Sequence, residues 1–136
     1  MKIIALRGRS NCGKSETLGI FLRKLIYLQM SVQPEKKVWK DTRESIKVGN
    51  MTIDICPPGD TEEIVRENIA YFEKHPCDIA FTATRSRGRG CWALDGYANE
   101  AGAELIWIRK EYNDDLGKEG QEDANNALAE KLYRMI

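Results

Sequence analysis

Residues 2–15, KIIALRGRSNCGKS, decide the fold of this 136-residue chain. Apolar and branched side chains dominate residues 2–7 and run directly into Gly8, which predicts a buried strand that ends in a turn. After Lys14 the apolar side chains recur every three or four positions to about Gln29, which predicts an amphipathic helix. A strand, a glycine-containing loop and a helix in this order indicate the start of a βαβ unit.

Strands and helices continue to alternate along the rest of the chain. Three more helices are predicted: one with Asp60 as its N-cap, Glu63 completing the capping box and Pro76 ending it, one that closes at Gly102, and one at the carboxyl terminus. Strands joined by helices form mainly parallel sheets, so we expect an α/β fold, a three-layer α/β/α sandwich, in one domain over residues 1–136. The remaining strands are predicted near 37–40 and over 51–56, 78–84 and 104–109.

Composition excludes several classes of protein. Lys plus Arg and Asp plus Glu both number 21, and this neutral balance makes nucleic acid an unlikely partner. The apolar runs are too short to span a bilayer and the first strand lacks the layout of a signal peptide, so a cytoplasmic location is expected. The four cysteines lack the spacing of a zinc site or a disulfide framework, which favours reduced thiols.

The loop from Gly8 to Ser15 has the pattern GxxxxGK[ST] between a strand and a helix, which predicts a site for phosphate groups. Glycines allow successive amide groups to turn inward, and the positive end of the following helix adds its dipole. Lys14 is expected to reach the β and γ phosphates, and Ser15 to offer its hydroxyl to Mg²⁺. The predicted nucleotide-binding residues are Gly8, Arg9, Ser10, Asn11, Cys12, Gly13, Lys14, Ser15 and Glu16.

This motif and the order of elements resemble the P-loop NTPase superfamily. The chain looks most like its SIMIBI class, whose members have a strand ending near Asp-x-Pro-Pro-Gly and often a second lysine after the first loop glycine. Here Asp54 precedes Pro57-Pro58-Gly59 with one residue more than that pattern, and Arg9 holds the second-lysine position. The resemblance implies that Arg9 places positive charge on the transferred phosphoryl group, and it makes a homodimer across bound nucleotide one option.

Two aspartates are candidates to complete a magnesium site. Asp54 is the first choice, because a hydrolytic site needs a carboxylate from a neighbouring strand and we expect this strand to lie beside the first one. Asp60 follows the Pro-Pro-Gly turn, where a loop can sense the γ phosphate, and a plain helix cap is an equal alternative. Asp41 and Trp39 are weaker candidates for contact with a substrate, against a solvated charge and a core side chain.

An arginine-rich stretch follows the strand predicted over 78–84. Arg85, Arg87 and Arg89 alternate with small residues at the expected binding edge of the sheet. Arginine forks fit phosphate oxygens, so Arg85 and Arg87 are predicted catalytic residues in a lid or as an arginine finger, and a solvated loop without a ligand is the alternative.

The sequence specifies the nucleotide base and the type of reaction less closely than it specifies the phosphate-binding loop. The chain has no Asn-Lys-x-Asp sequence, with which guanine-specific relatives read the base, so ATP is favoured over GTP by elimination. The segment Lys110–Asn113 offers the ring of Tyr112 for stacking. Three uses stay open: a slow ATPase that acts as a switch on a protein partner, a kinase for a small-molecule acceptor, and a binding module without turnover.

Overall fold

The computed structural model of the chain describes residues 1–30 and 42–136. In this part of the chain it has an α/β fold with a five-stranded mixed sheet that is mostly parallel. The strands are β1 (Lys2–Arg7), β2 (Glu44–Val48), β3 (Met51–Cys56), β4 (Ile79–Thr84) and β5 (Glu104–Arg109). The helices are α1 (Lys14–Met30), α2 (Glu62–Lys74), α3 (Arg89–Ala101) and α4 (Gly117–Tyr133), with a 3₁₀ turn over Asp114–Leu116. The strand predicted near 37–40, with Trp39 and Asp41, lies outside the described residues.

Local sequence patterns fixed most element boundaries. The predicted bounds of β1, β3 and β5 agree with the structure, and α3 ends where Gly102 takes a left-handed conformation with φ of 65°. That conformation is easy for glycine because it has no Cβ, which makes the residue a good helix terminator. The stop after α2 also agrees, since α2 ends at Lys74 with His75 as its C-cap, just before Pro76.

The cap at the start of α2 differs from the prediction. The N-cap is Thr61, whose hydroxyl oxygen accepts a hydrogen bond of 3.1 Å from the amide of Ile64. Asp60, the predicted cap, stands one residue too early for this contact. The capping prediction for Asp60 is therefore wrong, which leaves its carboxylate available for other contacts.

The strands lie in the order β2-β3-β4-β1-β5, and β2 is the antiparallel one. It forms a hairpin with β3 through a tight turn at Gly49, where φ is 63°. The sequence analysis missed β2 because its residues are largely polar, and the structure shows why: its side chains alternate between half-buried and exposed, as expected at the edge of a sheet.

Strand β4 occupies the centre of the sheet and lies between β3 and β1. All six of its residues are buried, which suits a strand that is covered from both sides. The prediction that the strand carrying Asp54 lies directly beside the first strand is therefore wrong. The neighbours of β1 are β4 and β5.

The core consists of two hydrophobic clusters to which alternate residues of β1 contribute. Ile4 and Leu6 belong to a cluster that includes side chains of α1 and α4, whereas Ile3 and Ala5 belong to one that includes side chains of α2 and α3. Because successive side chains of a strand point to opposite faces, the two clusters lie on opposite faces of the sheet. None of the helices in the described residues is both long enough and apolar enough to cross a membrane.

Candidate functional site

Three loops meet at the carboxyl edge of the sheet, as the βαβ order predicts. Strands β1 and β4 end at the same level, with Arg7 opposite Thr84, and the amide of Gly8 donates to the Thr84 carbonyl at 3.3 Å. The loop after β3 reaches the same place, because a Cβ on Gly59 would clash with the carbonyl group of Ala83. The loops that follow β1, β3 and β4 therefore share one surface.

Residues 8–15 are the loop predicted to bind phosphate, and the name phosphate loop is kept for them. The backbone of this loop depends on its two glycines. Gly13 has φ of 100° and Asn11 has φ of 61°, left-handed values that occur where successive amides form a concave anion site. A side chain at Gly13 would also clash with the carboxamide of Asn125. At Gly8 a Cβ would meet the carbonyl of Lys110, so the close approach of the loop to the end of β5 requires glycine there.

The ammonium group of Lys14 lies inside this loop, and its side chain is only 4% exposed. It donates to the carbonyl oxygens of Gly8 at 2.7 Å and of Arg9 at 2.8 Å. Its third close oxygen belongs to the carboxylate of Asp60, at 3.5 Å. A buried cation needs such partners to offset the loss of water, so the loop holds the positive charge in a defined place.

Asp60 links the phosphate loop to the loop after β3. Its two carboxylate oxygens lie 3.5 Å from the Lys14 ammonium and 3.5 Å from the hydroxyl of Ser10, which donates to it. The side chain is 44% exposed, so solvent reaches this contact. Of the two roles predicted for Asp60, the structure removes the helix cap and places the carboxylate beside the lysine.

Ser15 is the second residue of α1, and its hydroxyl is tied to the same neighbouring loop. It donates to the carbonyl of Pro57 at 3.2 Å. Residues 10, 14 and 15 of the phosphate loop therefore each contact the segment 57–60. A ligand that enters between the phosphate loop and segment 57–60 has to replace these contacts with contacts of its own.

A cavity of about 350 Å³ lies beside the phosphate loop, on the side of β5 and α4. Its volume falls within the range of small-molecule pockets. It is lined by Asn11, Cys12, Gly13, Glu16, Tyr112, Gly117, Lys118, Gln121, Glu122 and Asn125. The cavity thus combines four of the residues predicted to bind nucleotide with the ring of Tyr112, which was predicted to stack.

Arg9 extends toward this cavity. Its guanidinium carbon lies 5.1 Å from the centroid of the Tyr112 ring, and one of its nitrogens lies 3.9 Å from the carboxylate of Asp114. The side chain is 62% exposed. Arg9 therefore contacts the segment after β5 in this structure, while the resemblance implied a role at the transferred phosphoryl group.

Asn125 of α4 is a site residue that the sequence analysis missed. Although polar, it is 8% exposed, and its Oδ1 accepts a hydrogen bond of 3.3 Å from the hydroxyl of Thr17 in α1. It also packs against Gly13 and lines the cavity. The signal was present as a polar residue at an inward position of α4, spaced four and seven residues before the buried Ala129 and Leu132.

Asp54 lies far from the phosphate loop. In the sheet register it is opposite Ala80, which is opposite Ile3, four residues before the end of β1. At roughly 3.3 Å per residue this places Asp54 about 13 Å from the carboxyl edge. The carboxylate of Asp54 accepts a hydrogen bond from Ser45 of β2, whereas Ser15 contacts Pro57 beyond the end of β3, so the structure does not bring Asp54 and Ser15 together as the predicted magnesium site requires.

The surroundings of Asp54 form a separate polar group, the Asp54 cluster, which consists of Ser45, Asp54, Tyr71 and Cys77. Oδ1 of Asp54 accepts a 2.6 Å hydrogen bond from Ser45, whose hydroxyl lies 3.0 Å from that of Tyr71. Oδ2 has no hydrogen-bond partner among the described residues, and the side chain is fully buried. Burial raises the pKa of Asp54, although the Ser45 hydroxyl and the Cys77 thiol act in the opposite direction.

Burial and the nearby carboxylate also raise the pKa of the Cys77 thiol, to about 12. All four cysteines are free, and three of them are buried. The thiol nearest to Asp54 is therefore protonated at neutral pH. A protonated thiol is a weak nucleophile, which favours a structural role for the cluster.

The arginine-rich stretch lies at the carboxyl edge, as predicted. Arg85, Arg87 and Arg89 are exposed, while the backbone around them is anchored. The guanidinium of Arg7 donates to the carbonyl of Ser86 at 2.6 Å, and the Cys91 thiol donates to that of Arg85 at 3.0 Å. The loop therefore presents exposed cationic side chains on an anchored backbone.

Comparisons with known proteins bring no family to this chain. No family model matches it, and neither curated proteins nor solved structures give a significant match. The residues described also contain no group of three or more His, Cys, Asp or Glu side chains that could hold a metal ion.

Proposed function

We propose that this chain is a P-loop nucleotide-binding protein of three-layer α/β/α architecture. It binds ATP with Mg²⁺ through residues 8–15 and hydrolyses it slowly, as a nucleotide-dependent switch. The observation that carries the proposal is the buried ammonium of Lys14, held by two carbonyls of its own loop at the start of α1. A cation, a helix N-terminus and left-handed loop residues in one place are together suited to polyphosphate.

The cavity on the β5 and α4 side supports a place for the nucleoside. It begins at the phosphate loop, so a nucleotide can put its phosphates on residues 8–15 and its base beside Tyr112. Asn125 and Gln121 offer amide groups to the base edge, and the Arg9 guanidinium lies 5.1 Å from the centroid of the Tyr112 ring. Adenine is favoured because the chain lacks the guanine-reading sequence.

A magnesium ion would be held by Ser15 and Asp60. The serine hydroxyl and the aspartate carboxylate are hard oxygen ligands of the kind Mg²⁺ prefers, and both already contact the other's loop. Because the described residues contain no cluster of three ligands, phosphate oxygens and waters would complete the coordination. The bound ion would neutralise charge on the β and γ phosphates.

A switch follows from the contact between Lys14 and Asp60. An incoming γ phosphate competes with the Asp60 carboxylate for the same ammonium, so the segment 57–61 has to move when the phosphate enters and again when it leaves. Gly59 of this segment packs against Ala83 near the end of β4, the strand that leads into the arginine-rich loop. A protein partner could bind either loop and thereby respond to the nucleotide state.

A kinase is the second candidate, and one observation favours it. The three exposed arginines after β4 could close over phosphates, as lid residues do. A kinase function would make Arg85 and Arg87 catalytic and would require a small-molecule acceptor. It predicts ADP formation that depends on the acceptor, whereas the switch predicts slow phosphate release without one.

Calorimetry and phosphate release test the proposal. We expect the purified chain to bind MgATP more tightly than MgGTP, and Lys14→Ala to weaken binding by about 100-fold or more, because a buried charge-assisted contact is lost. Lys131→Ala, a change at an exposed lysine of α4, is the matched control and should bind normally. Normal MgATP binding by a folded Lys14→Ala protein would disprove the assignment of the site.

A further inference from the structure

The three arginines after β4 have no acidic partner in the described part of the chain. Four other arginines do, in the pairs Arg9 with Asp114, Arg43 with Glu67, Arg66 with Glu62 and Arg109 with Glu111. Arg85, Arg87 and Arg89 stand within five residues, are exposed and repel one another. In a chain with equal numbers of acidic and basic residues, this local excess of positive charge attracts an anion.

An exposed tryptophan stands beside these arginines. Trp92 lies in the first turn of α3 and is 71% exposed, the highest value among the large hydrophobic side chains of residues 1–30 and 42–136. The buried face of α3 is formed instead by Cys91, Leu94 and Ala98. Trp92 therefore leaves most of an indole ring in water without a role in the core.

The spacing within α3 brings the ring and the charge together. Arg89 and Trp92 are three residues apart in one helix, so they share a face with their Cβ atoms roughly 5–6 Å apart. The neighbouring Arg85 and Arg87 lie on the loop that leads into this helix. Since the backbone of the loop is held by Arg7 and Cys91, these side chains project from a fixed base.

We propose that Arg85, Arg87, Arg89 and Trp92 form a binding surface for a second ligand, a small phosphorylated heteroaromatic compound. Its anionic group lies on the arginines, and its ring stacks on the indole. The ring and the phosphate have to be close together in the ligand, as they are in a nucleoside 5′-monophosphate. The surface is separate from the cavity beside Tyr112, and its ligand binds whether or not the phosphate loop holds ATP.

A small ligand fits the surface better than a nucleic acid strand. Strand binding uses a long basic groove with several aromatic side chains, one for each of successive bases. This surface has a single exposed ring and three cations, and the chain as a whole is neutral. Binding of an oligonucleotide alone is an outcome that would contradict the proposal.

Calorimetry with AMP tests the surface without the phosphate loop. The titration uses the Lys14→Ala protein, so that the result does not depend on whether the phosphate loop binds ATP. We expect saturable binding of AMP, weakened about tenfold by Trp92→Ala and by a similar factor in the triple variant Arg85→Gln, Arg87→Gln, Arg89→Gln. Tyr27→Ala and Arg134→Gln, which change an exposed ring and an exposed arginine elsewhere, should bind AMP like their parent.

Partial ligands separate the two halves of the surface. Binding of inorganic phosphate should be weaker than that of AMP and sensitive to the arginine substitutions only, and binding of adenosine should be weak and sensitive to Trp92→Ala only. The proposal is overturned if AMP gives no saturable heat, if neither variant changes its affinity, or if a ten-nucleotide oligo(dT) binds and AMP does not. Thermal melting of each variant shows whether a loss of binding reflects a loss of folding.

Discussion

The two carboxylates on either side of Pro57-Pro58-Gly59 are in opposite situations. Asp60 is partly exposed at the carboxyl edge, where a buried ammonium and a hydroxyl accompany it. Asp54 is fully buried about four residues deeper in the sheet, and one of its oxygens lacks a partner among the described residues. The comparison teaches that a carboxylate can act on a ligand only where the strand ends, because within the strand its neighbours are other strands and α2.

The largest effect that would test this comparison is on hydrolysis. We expect Asp60→Asn to slow phosphate release from MgATP by about 100-fold, the usual size of losing one charged contact in a transition state. The same change should tighten binding of ATP measured in EDTA, because a negative charge beside Lys14 has been removed. Asp54→Asn should leave both quantities within about twofold, and a large loss of activity in that variant would contradict the division of roles.

The next effect concerns stability and pH at Asp54. Because burial raises its pKa in the folded protein, the stability linked to its protonated form is complete below the ordinary carboxyl range and is lost as the pH rises through the raised pKa. We expect Asp54→Asn to be more stable than the wild type at neutral pH. Each pH unit between the ordinary carboxyl pKa and the raised pKa of Asp54 contributes up to about 1.4 kcal/mol to the difference in the free energy of unfolding.

Urea unfolding over a pH series measures this effect. The difference between wild type and Asp54→Asn should grow from the ordinary carboxyl range upward and level off above the raised pKa. A wild type that is more stable than Asp54→Asn at neutral pH would mean that the ionised carboxylate is satisfied in the fold.

The smallest effect separates Asp60 from its neighbour Thr61. We expect Thr61→Ala to lower the free energy of unfolding by about 1 kcal/mol, because the hydroxyl that caps α2 is lost. Asp60→Ala, made in the Lys14→Ala protein so that the contact with the ammonium plays no part, should cost less stability, since Asp60 does not cap the helix. Urea unfolding measures both losses. If Asp60 were the cap, as the sequence predicted, the Asp60 substitution would cost more stability than Thr61→Ala.

Much of the fold and part of the candidate site could be predicted from the sequence. Periodic apolar residues located β1, β3, β5, α1 and α3, and the glycine and lysine pattern marked the loop between β1 and α1 that we propose binds phosphate. Strand β2 escaped because an edge strand with half-buried residues has little hydrophobic signal. Asn125 escaped because the role of a single polar residue in a helix depends on what α1 brings to it.

The sequence by itself determined where most of the strands and helices form, and it marked a loop whose amides and lysine suit phosphate, because these features depend on neighbours along the chain. Only the tertiary structure decided that β4 lies between β1 and β3, that Asp54 is buried away from the loop and that Asp60 meets Lys14. Strand order and depth arise from packing between distant segments, whose apolar patterns are too similar to specify a partner. The sequence therefore shows which chemical groups follow each strand, and only the tertiary structure shows which groups lie beside them.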